Sequence, residues 1–302
     1  VKFGYNFSSQ LLKDPFNYSE DRAFKLFSRI NMDCLEIQLA VVGIIDSKGD
    51  INKTQKEKIF TLLKKYKISI GSVHAPYPYY VSNYLNFKKG IFHKRALKSL
   101  KNSINVANEL GAKVVVIHPS HTLGFYKNDV EYEKNITETI VENLSIIRDY
   151  IEKKKFDINI GIETMAPKRD RVIVGDKPQE IVNIIKALDS EKIGATWDMC
   201  HTYRSLIKYN LKERDFKELA RYTHHIHYSS FSPILSQCHC PAKYGKEKPI
   251  HKMISLLENC NVIVINEISP IMLIYLDPKR TLKEWLDLIL KQSREDFKKW
   301  MH

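Results

Sequence analysis

The chain has 302 residues, of which 43% are hydrophobic and 27% charged, a balance that excludes a disordered segment and allows a full core. No run of about 18 apolar residues occurs, so a membrane span is not expected. Lys+Arg number 48 against 35 Asp+Glu, giving +13, and only 11 of those cations are arginine. Such a surplus fits an anionic partner (nucleic acid, a phosphorylated metabolite or a membrane surface), and equally a lysine-rich habit of composition.

Taken in chain order, short apolar β-branched runs alternate with amphipathic stretches. A first strand is predicted at 2–6 and a second at 33–38, the latter carrying Glu36 and Gln38. Residues 53–66 read as a helix with Ile59, Leu62 and Leu63 on one face. A strand at 68–74 ends in His74, and a long helix follows at 90–110. The run 112–118 contains Val114-Val115-Val116-Ile117 and ends in His118. A helix at 133–154 leads to a strand at 157–163 that ends in Glu163. Asp176 is the expected N-cap of a helix at 177–188, with Pro178 in its first turn. The strand 192–198 ends in Asp198, and His201 sits three residues on. A strand at 223–228 carries His227, and the loop after it holds Cys238-His239-Cys240. The last strand, 261–267, ends in Glu267, and a helix at 281–299 closes the chain.

Eight strands alternating with helices predict an α/β chain folded as one (β/α)₈ TIM barrel spanning residues 1–302, with no linker that would divide it. A doubly wound open sheet is the alternative, but no G-x-G-x-x-G follows the first strand. Five cysteines (Cys34, Cys200, Cys238, Cys240 and Cys260) form no framework spacing, as expected of a reducing compartment. Val1 to Tyr5 enters a strand pattern with no apolar leader, so a cytoplasmic protein is expected.

Six successive strands end in His, Asp or Glu. Active sites of such barrels sit at the C-terminal ends of the strands, where these side chains converge. Carboxylates packed that densely repel one another and lose hydration unless a cation neutralises them. A mixed histidine and carboxylate set suits Zn²⁺ or Mn²⁺ better than Ca²⁺ or Mg²⁺. The Cys-His-Cys run lacks the second ligand pair of a small structural zinc site, and His239 as a further ligand of the central cluster is the preferred reading.

These residues resemble the xylose isomerase-like barrel superfamily, which includes endonuclease IV-type apurinic/apyrimidinic endonucleases and many sugar isomerases and epimerases. His74-Ala75-Pro76-Tyr77 resembles the endonuclease segment that supplies a zinc ligand and a tyrosine placed near the lesion. His118-Pro119 resembles a second ligand segment, Glu163 matches the carboxylate that bridges two zinc ions, and Asp198-x-Cys200-His201 matches the Asp-x-Cys-His signature. His227 and Glu267 match the remaining ligands of the inner pair. The likeness breaks after the seventh strand, where Gln237-Cys238-His239 keeps the histidine but lacks the paired aspartate, which leaves a third zinc one ligand short.

The resemblance implies two activities. One is hydrolysis of DNA at abasic sites by two or three zinc ions. Lys168, Arg169, Arg171, Lys243, Lys246 and Lys248 would meet phosphates, and Tyr77, Tyr79 and Tyr80 would stack on an exposed base step. The other is isomerisation or epimerisation of a sugar or sugar phosphate. There Glu163, Asp198, His227 and Glu267 would hold one Mn²⁺, Mg²⁺ or Zn²⁺. Glu163 and Glu267 would serve as acid and base, and Glu36 or Gln38 would touch the sugar. A non-enzymatic binding barrel is a third reading, opposed by the cost of leaving the carboxylates unneutralised. No obligate protein partner is evident from the sequence.

Overall fold

The structure is a computed structural model. It describes every residue except 14, 77–84, 120–129, 169–172, 233–236, 242–252, 259–260 and 302, and every side chain but those of these and of residues 9, 130–134, 232, 237 and 238.

The strands β1 (Lys2–Phe7), β2 (Cys34–Gln38), β3 (Ile70–His74), β4 (Val114–Ile117), β5 (Asn159–Glu163), β6 (Ile193–Asp198) and β7 (Thr223–His227) are parallel. After them come β8 (Ser230–Ser232), β9 (Gln237–Cys240) and β10 (Ile263–Asn266). The barrel is closed by β10, which pairs with both β1 and β7, while β8 and β9 form a separate antiparallel hairpin. The expected (β/α)₈ barrel is the observed fold. The helices are α1 (Glu20–Phe27), α2 (Lys53–Tyr66), α3 (Gly90–Leu110), α4 (Val130–Lys154), α5 (Pro178–Leu188), α6 (Met199–Tyr209), α7 (Lys217–Arg221), α8 (Pro270–Leu276) and α9 (Leu282–Trp300). Among the described residues, no helix is long and apolar enough to cross a membrane.

Strand alternation divides the side chains into two sets. Phe3, Tyr5, Leu35, Ile37, Val73, Val115, Ile117, Ile160, Ile162, Trp197 and Val264 belong to the large outer core shared with the helices. Cys34, Val114, Val116, Ile263 and Ile265 form a second, smaller apolar cluster. Because Val114–Ile117 and Val262–Ile265 supply both clusters, those runs had to be apolar at every position.

The last helix shows how local signals fix an element. Thr281 accepts a hydrogen bond from Glu284 N and its own backbone N–H donates to Glu284 Oε2 at 2.8 Å, a reciprocal cap. From that start α9 buries Trp285, Leu286, Ile289, Leu290 and Phe297. Tyr5 donates its hydroxyl to the Leu286 carbonyl, and Tyr228 donates to Asp296 at 2.7 Å, so α9 is tied to the barrel by polar as well as apolar contacts.

Two local expectations are corrected. The N-cap of α5 is Lys177, not Asp176; the Asp176 carboxylate instead accepts from the Tyr209 hydroxyl at 2.6 Å, on α6. Helix α1 and the β8–β9 hairpin lie outside the elements predicted from the sequence, although α1, eight residues long, carries a Ser19 cap, an acidic first turn and an apolar face of Ala23, Phe24 and Phe27.

Gly161 lies two residues before Glu163 on β5. A Cβ there would stand 2.1 Å from Thr196 Oγ1 and 3.2 Å from Val114 Cγ1. Threonine is stiff at χ1 and cannot swing clear. Gly161→Ala is therefore expected to cost about 1–3 kcal/mol, read as a lower urea midpoint. An unchanged midpoint would show that the neighbouring strands yield at this level.

Candidate metal centre

Each strand-end side chain predicted from the sequence reaches the same end of the barrel. His74, Glu163, Asp198 and His227 are the last residues of β3, β5, β6 and β7, while His118 and Glu267 stand one residue beyond β4 and β10. Two of the ligand-capable groups share Glu163. One is His74, His118 and Glu163; the other is Glu163, Asp198, His227 and Glu267, and within each group the candidate ligand atoms lie within 4.8 Å of one another.

Glu163 divides its carboxylate between them. Its Oε2 is 3.2 Å from His74 Nε2 and 2.9 Å from His118 Nε2. Its Oε1 is 3.4 Å from His227 Nδ1 and 3.4 Å from His201 Nδ1. On the far side, His227 Nδ1 is 3.1 Å from Glu267 Oε2 and 3.8 Å from Asp198 Oδ2. Several of these approaches lack hydrogen-bond alignment. Asp198 Oδ2, His227 Nδ1 and Glu267 Oε2 are buried and have no hydrogen-bond partner among the described residues. Buried polar atoms are almost always satisfied, so three orphans aimed at one point are the pattern that a cation would complete.

The backbone orients the rings. His74 Nδ1 meets the Ala75 carbonyl at 2.8 Å, which leaves Nε2 facing Glu163. His201 Nδ1 meets the Thr164 carbonyl at 2.9 Å, which fixes the ring. Asp198 is the N-cap of α6 and uses Oδ1 to accept from His201 N at 2.7 Å, so only Oδ2 is left for the site. His239 comes from the hairpin. Its backbone has φ +63°, a left-handed conformation that costs a non-glycine residue roughly 1–2 kcal/mol. Its Nδ1 lies 3.6 Å from Glu267 Oε2, and its ring meets that of His201 edge-on at 5.5 Å between centroids.

The carboxylates titrate apart. Burial, and then the charges of Glu267 and Glu163, push Asp198 up to about 8 against the opposing effect of His239. Burial also acts to raise Glu267, but His227 and His239 outweigh it and hold it at about 2. Glu163 is likewise pushed up by burial yet held well below the usual carboxylate range by His118 and His227.

The proposed substrate contacts fare differently. Glu36 is fully buried and lies beneath His227, whose Nε2 is 3.1 Å from Glu36 Oε1, so it is not placed to touch a substrate. Its register explains this: Glu36 pairs with Ser72, whereas Gln38, two residues later and half-buried, pairs with His74 at the mouth. Lys168 is exposed on the loop after β5. Tyr77, Tyr79, Tyr80, Arg169, Arg171, Lys243, Lys246 and Lys248 lie outside the described residues, as does the Cys238 side chain. The reading of the sequence missed Asn6, Ser72 and His225, which pack around Glu36. His225 could have been found from its spacing, since residues two apart on a strand share a face.

A closed parallel barrel with a cluster of histidines and carboxylates at the C-terminal ends of its strands has the architecture of a barrel enzyme. The chain belongs to the xylose isomerase-like TIM barrel family, which its residues 24–289 match. A probable endonuclease 4 of Staphylococcus epidermidis is 31% identical over 167 residues, covering 55% of this chain and 51% of the relative. An uncharacterised protein of Methanocaldococcus jannaschii is 30% identical over 144 residues, covering 47% and 45%. The chain thus spans about half the length of the curated relatives it matches. Among solved structures, a D-tagatose 3-epimerase-like protein superposes with a TM-score of 0.70 at 19% identity over 99% of each chain. A structure of IOLI protein with a binding zinc atom superposes at 0.71 with 15% identity, over 100% of this chain and 99% of the other. At these identities the structural likeness is one of fold.

A cation held by the orphaned atoms would relieve the repulsion among Glu163, Asp198 and Glu267. Divalent cations added to chelator-treated protein are therefore expected to raise its thermal midpoint. A ligand at a hundredfold excess over its dissociation constant stabilises by about 2.7 kcal/mol. A midpoint indifferent to Zn²⁺, Mn²⁺ and Mg²⁺ would count against a metal centre here.

Proposed function

We propose that the protein is a two-metal phosphodiesterase that cleaves DNA at abasic sites. The observation that carries this reading is the division of Glu163, with one oxygen toward His74 and His118 and the other toward His227. A one-metal centre needs only the quartet Glu163, Asp198, His227 and Glu267 and leaves His74 and His118 without a role. The partial match to a probable endonuclease 4 supports the same direction.

His74, His118 and Glu163 would hold one cation, and Glu163, Asp198, His227 and Glu267 the other. When bound, two such ions acidify a water toward neutral pH and offset charge on the oxygens of an in-line displacement. The chain supplies the geometry. The Ala75 carbonyl fixes the His74 ring, and the start of α6 fixes Asp198. His201 and His239, edge to edge beside Glu267, would act on the substrate phosphate or hold a third ion weakly. Lys168, Arg169, Arg171, Lys243 and Lys246 would meet the DNA backbone, and Tyr77 would stack beside the lesion.

The quartet is also complete in itself, which favours a second reading. In it a single Mn²⁺ or Mg²⁺ serves a sugar or sugar-phosphate epimerase, with Glu163 and Glu267 moving the proton.

Metal analysis and an abasic-duplex assay separate the two. The first reading expects two or more zinc ions per chain and nicking that falls on the order of 10³-fold in Glu163→Gln, given several kcal/mol of charge stabilisation. His118→Ala should lose one ion and keep the other. A single Mn²⁺ or Mg²⁺, an intact abasic duplex and turnover of a ketose would replace it with the epimerase.

A further inference from the structure

Beneath the mouth lies a polar layer that none of the strand-end chemistry requires. Four groups converge on the Glu36 carboxylate. Asn6 Nδ2 donates to Oε1 at 2.6 Å, and His227 Nε2 approaches the same oxygen at 3.1 Å. Ser72 Oγ donates to Oε2 at 2.7 Å, and His225 Nε2 lies 3.3 Å from Oε2 and 3.0 Å from Ser72 Oγ. Glu36 has no exposed surface. Only an ionised carboxylate is acceptor at both oxygens; a glutamine would turn an amide NH₂ toward one of the two donor pairs.

We infer that Glu36 is a positioning residue that holds His227 with its proton on Nε2, so that Nδ1 is the nitrogen turned toward Glu163, Asp198 and Glu267. The inference rests on the reading of those residues as cation ligands. The reasoning concerns which ring nitrogen carries the proton. A neutral imidazole, the form that ligates a cation, offers its lone pair from Nδ1 when it donates from Nε2. That atom is the buried one, unpartnered among the described residues, 3.4 Å from Glu163 and 3.1 Å from Glu267. His74 and His201 are set the opposite way, since carbonyls take up Nδ1 in each. The centre thus uses two kinds of ring anchor. Backbone carbonyls anchor His74 and His201, whereas His227, fully buried at the centre, is held by a charged group that accepts more strongly than a carbonyl. Asn6, Ser72 and His225 in turn fix the carboxylate, so the orientation of His227 is set from three neighbouring strands.

The test uses the full chain labelled with ¹⁵N-histidine and loaded with Zn²⁺. Long-range ¹H–¹⁵N correlation should show His227 with a proton on Nε2, shifted downfield by its carboxylate partner, and zinc-shifted Nδ1. Glu36→Gln should lose that downfield signal and bind zinc 10–100-fold more weakly in competition with a chromophoric chelator. Ser72→Ala removes one donor to the same carboxylate without touching His227, and with Asn6 and His225 still holding Glu36 it should keep the His227 signature even where it lowers stability. Should Glu36→Gln fail to fold, the wild-type spectrum and Ser72→Ala still decide. Zinc on His227 Nε2, or a folded Glu36→Gln with unchanged affinity and unchanged spectrum, overturns the inference while leaving the metal centre standing. A wild type that binds no zinc overturns the metal centre itself, and the inference with it.

Discussion

Carboxylates brought together out of water govern this structure. Glu36, Glu163 and Asp198 have essentially no exposed surface, and Glu267 adds a fourth carboxylate beside them. In a medium of low polarity, like charges at these separations cannot all stay ionised without compensation. The barrel answers with histidines on nearly every adjoining strand. His74, His118, His225 and His227 each approach a carboxylate within 3.3 Å, and the outcome differs from group to group: Asp198 is pushed toward neutrality while Glu267 is held as an anion. The closed sheet makes this possible, because parallel strands deliver their last residues to one small space.

That same regularity made the architecture readable. Strands with apolar runs and a single polar terminus, repeated with helices between them, leave little room for another topology. The ends of β3, β5, β6 and β7 were marked by His74, Glu163, Asp198 and His227. Depth was harder to read. Glu36 and Gln38 lie on one strand and one face, yet two residues along a strand is about 6.6 Å, and that distance separates the mouth from the layer below. The register, Gln38 beside His74 and Glu36 beside Ser72, exists only once strands are paired. The hairpin escaped for a different reason, since strands of three and four residues are decided by the contacts they make after folding, whereas α1 was marked by its Ser19 cap and apolar face and was overlooked for its shortness.

The hairpin also shows how a site is extended beyond the barrel. β8 and β9 carry His239 to the edge of the cluster in a backbone conformation that most side chains avoid. Strain of this kind persists where surrounding structure over-determines it, and here the Ser269 amide donates to the His239 carbonyl at 2.9 Å. The histidine is thereby tied both to its own hairpin and to the segment that starts α8.

Asp198 ends a strand and begins a helix in the same residue, with α6 starting at Met199. The unbonded amides at the head of an α-helix amount to roughly half a positive charge. That half-charge is pinned against Asp198, and through it against the whole mouth, for as long as the protein is folded. The Asp198 carboxylate therefore answers to two sides at once, the backbone amides of α6 through Oδ1 and the ring of His227 near Oδ2. Any shift of the first turn of α6 would carry that carboxylate with it, so helix and mouth move as one piece.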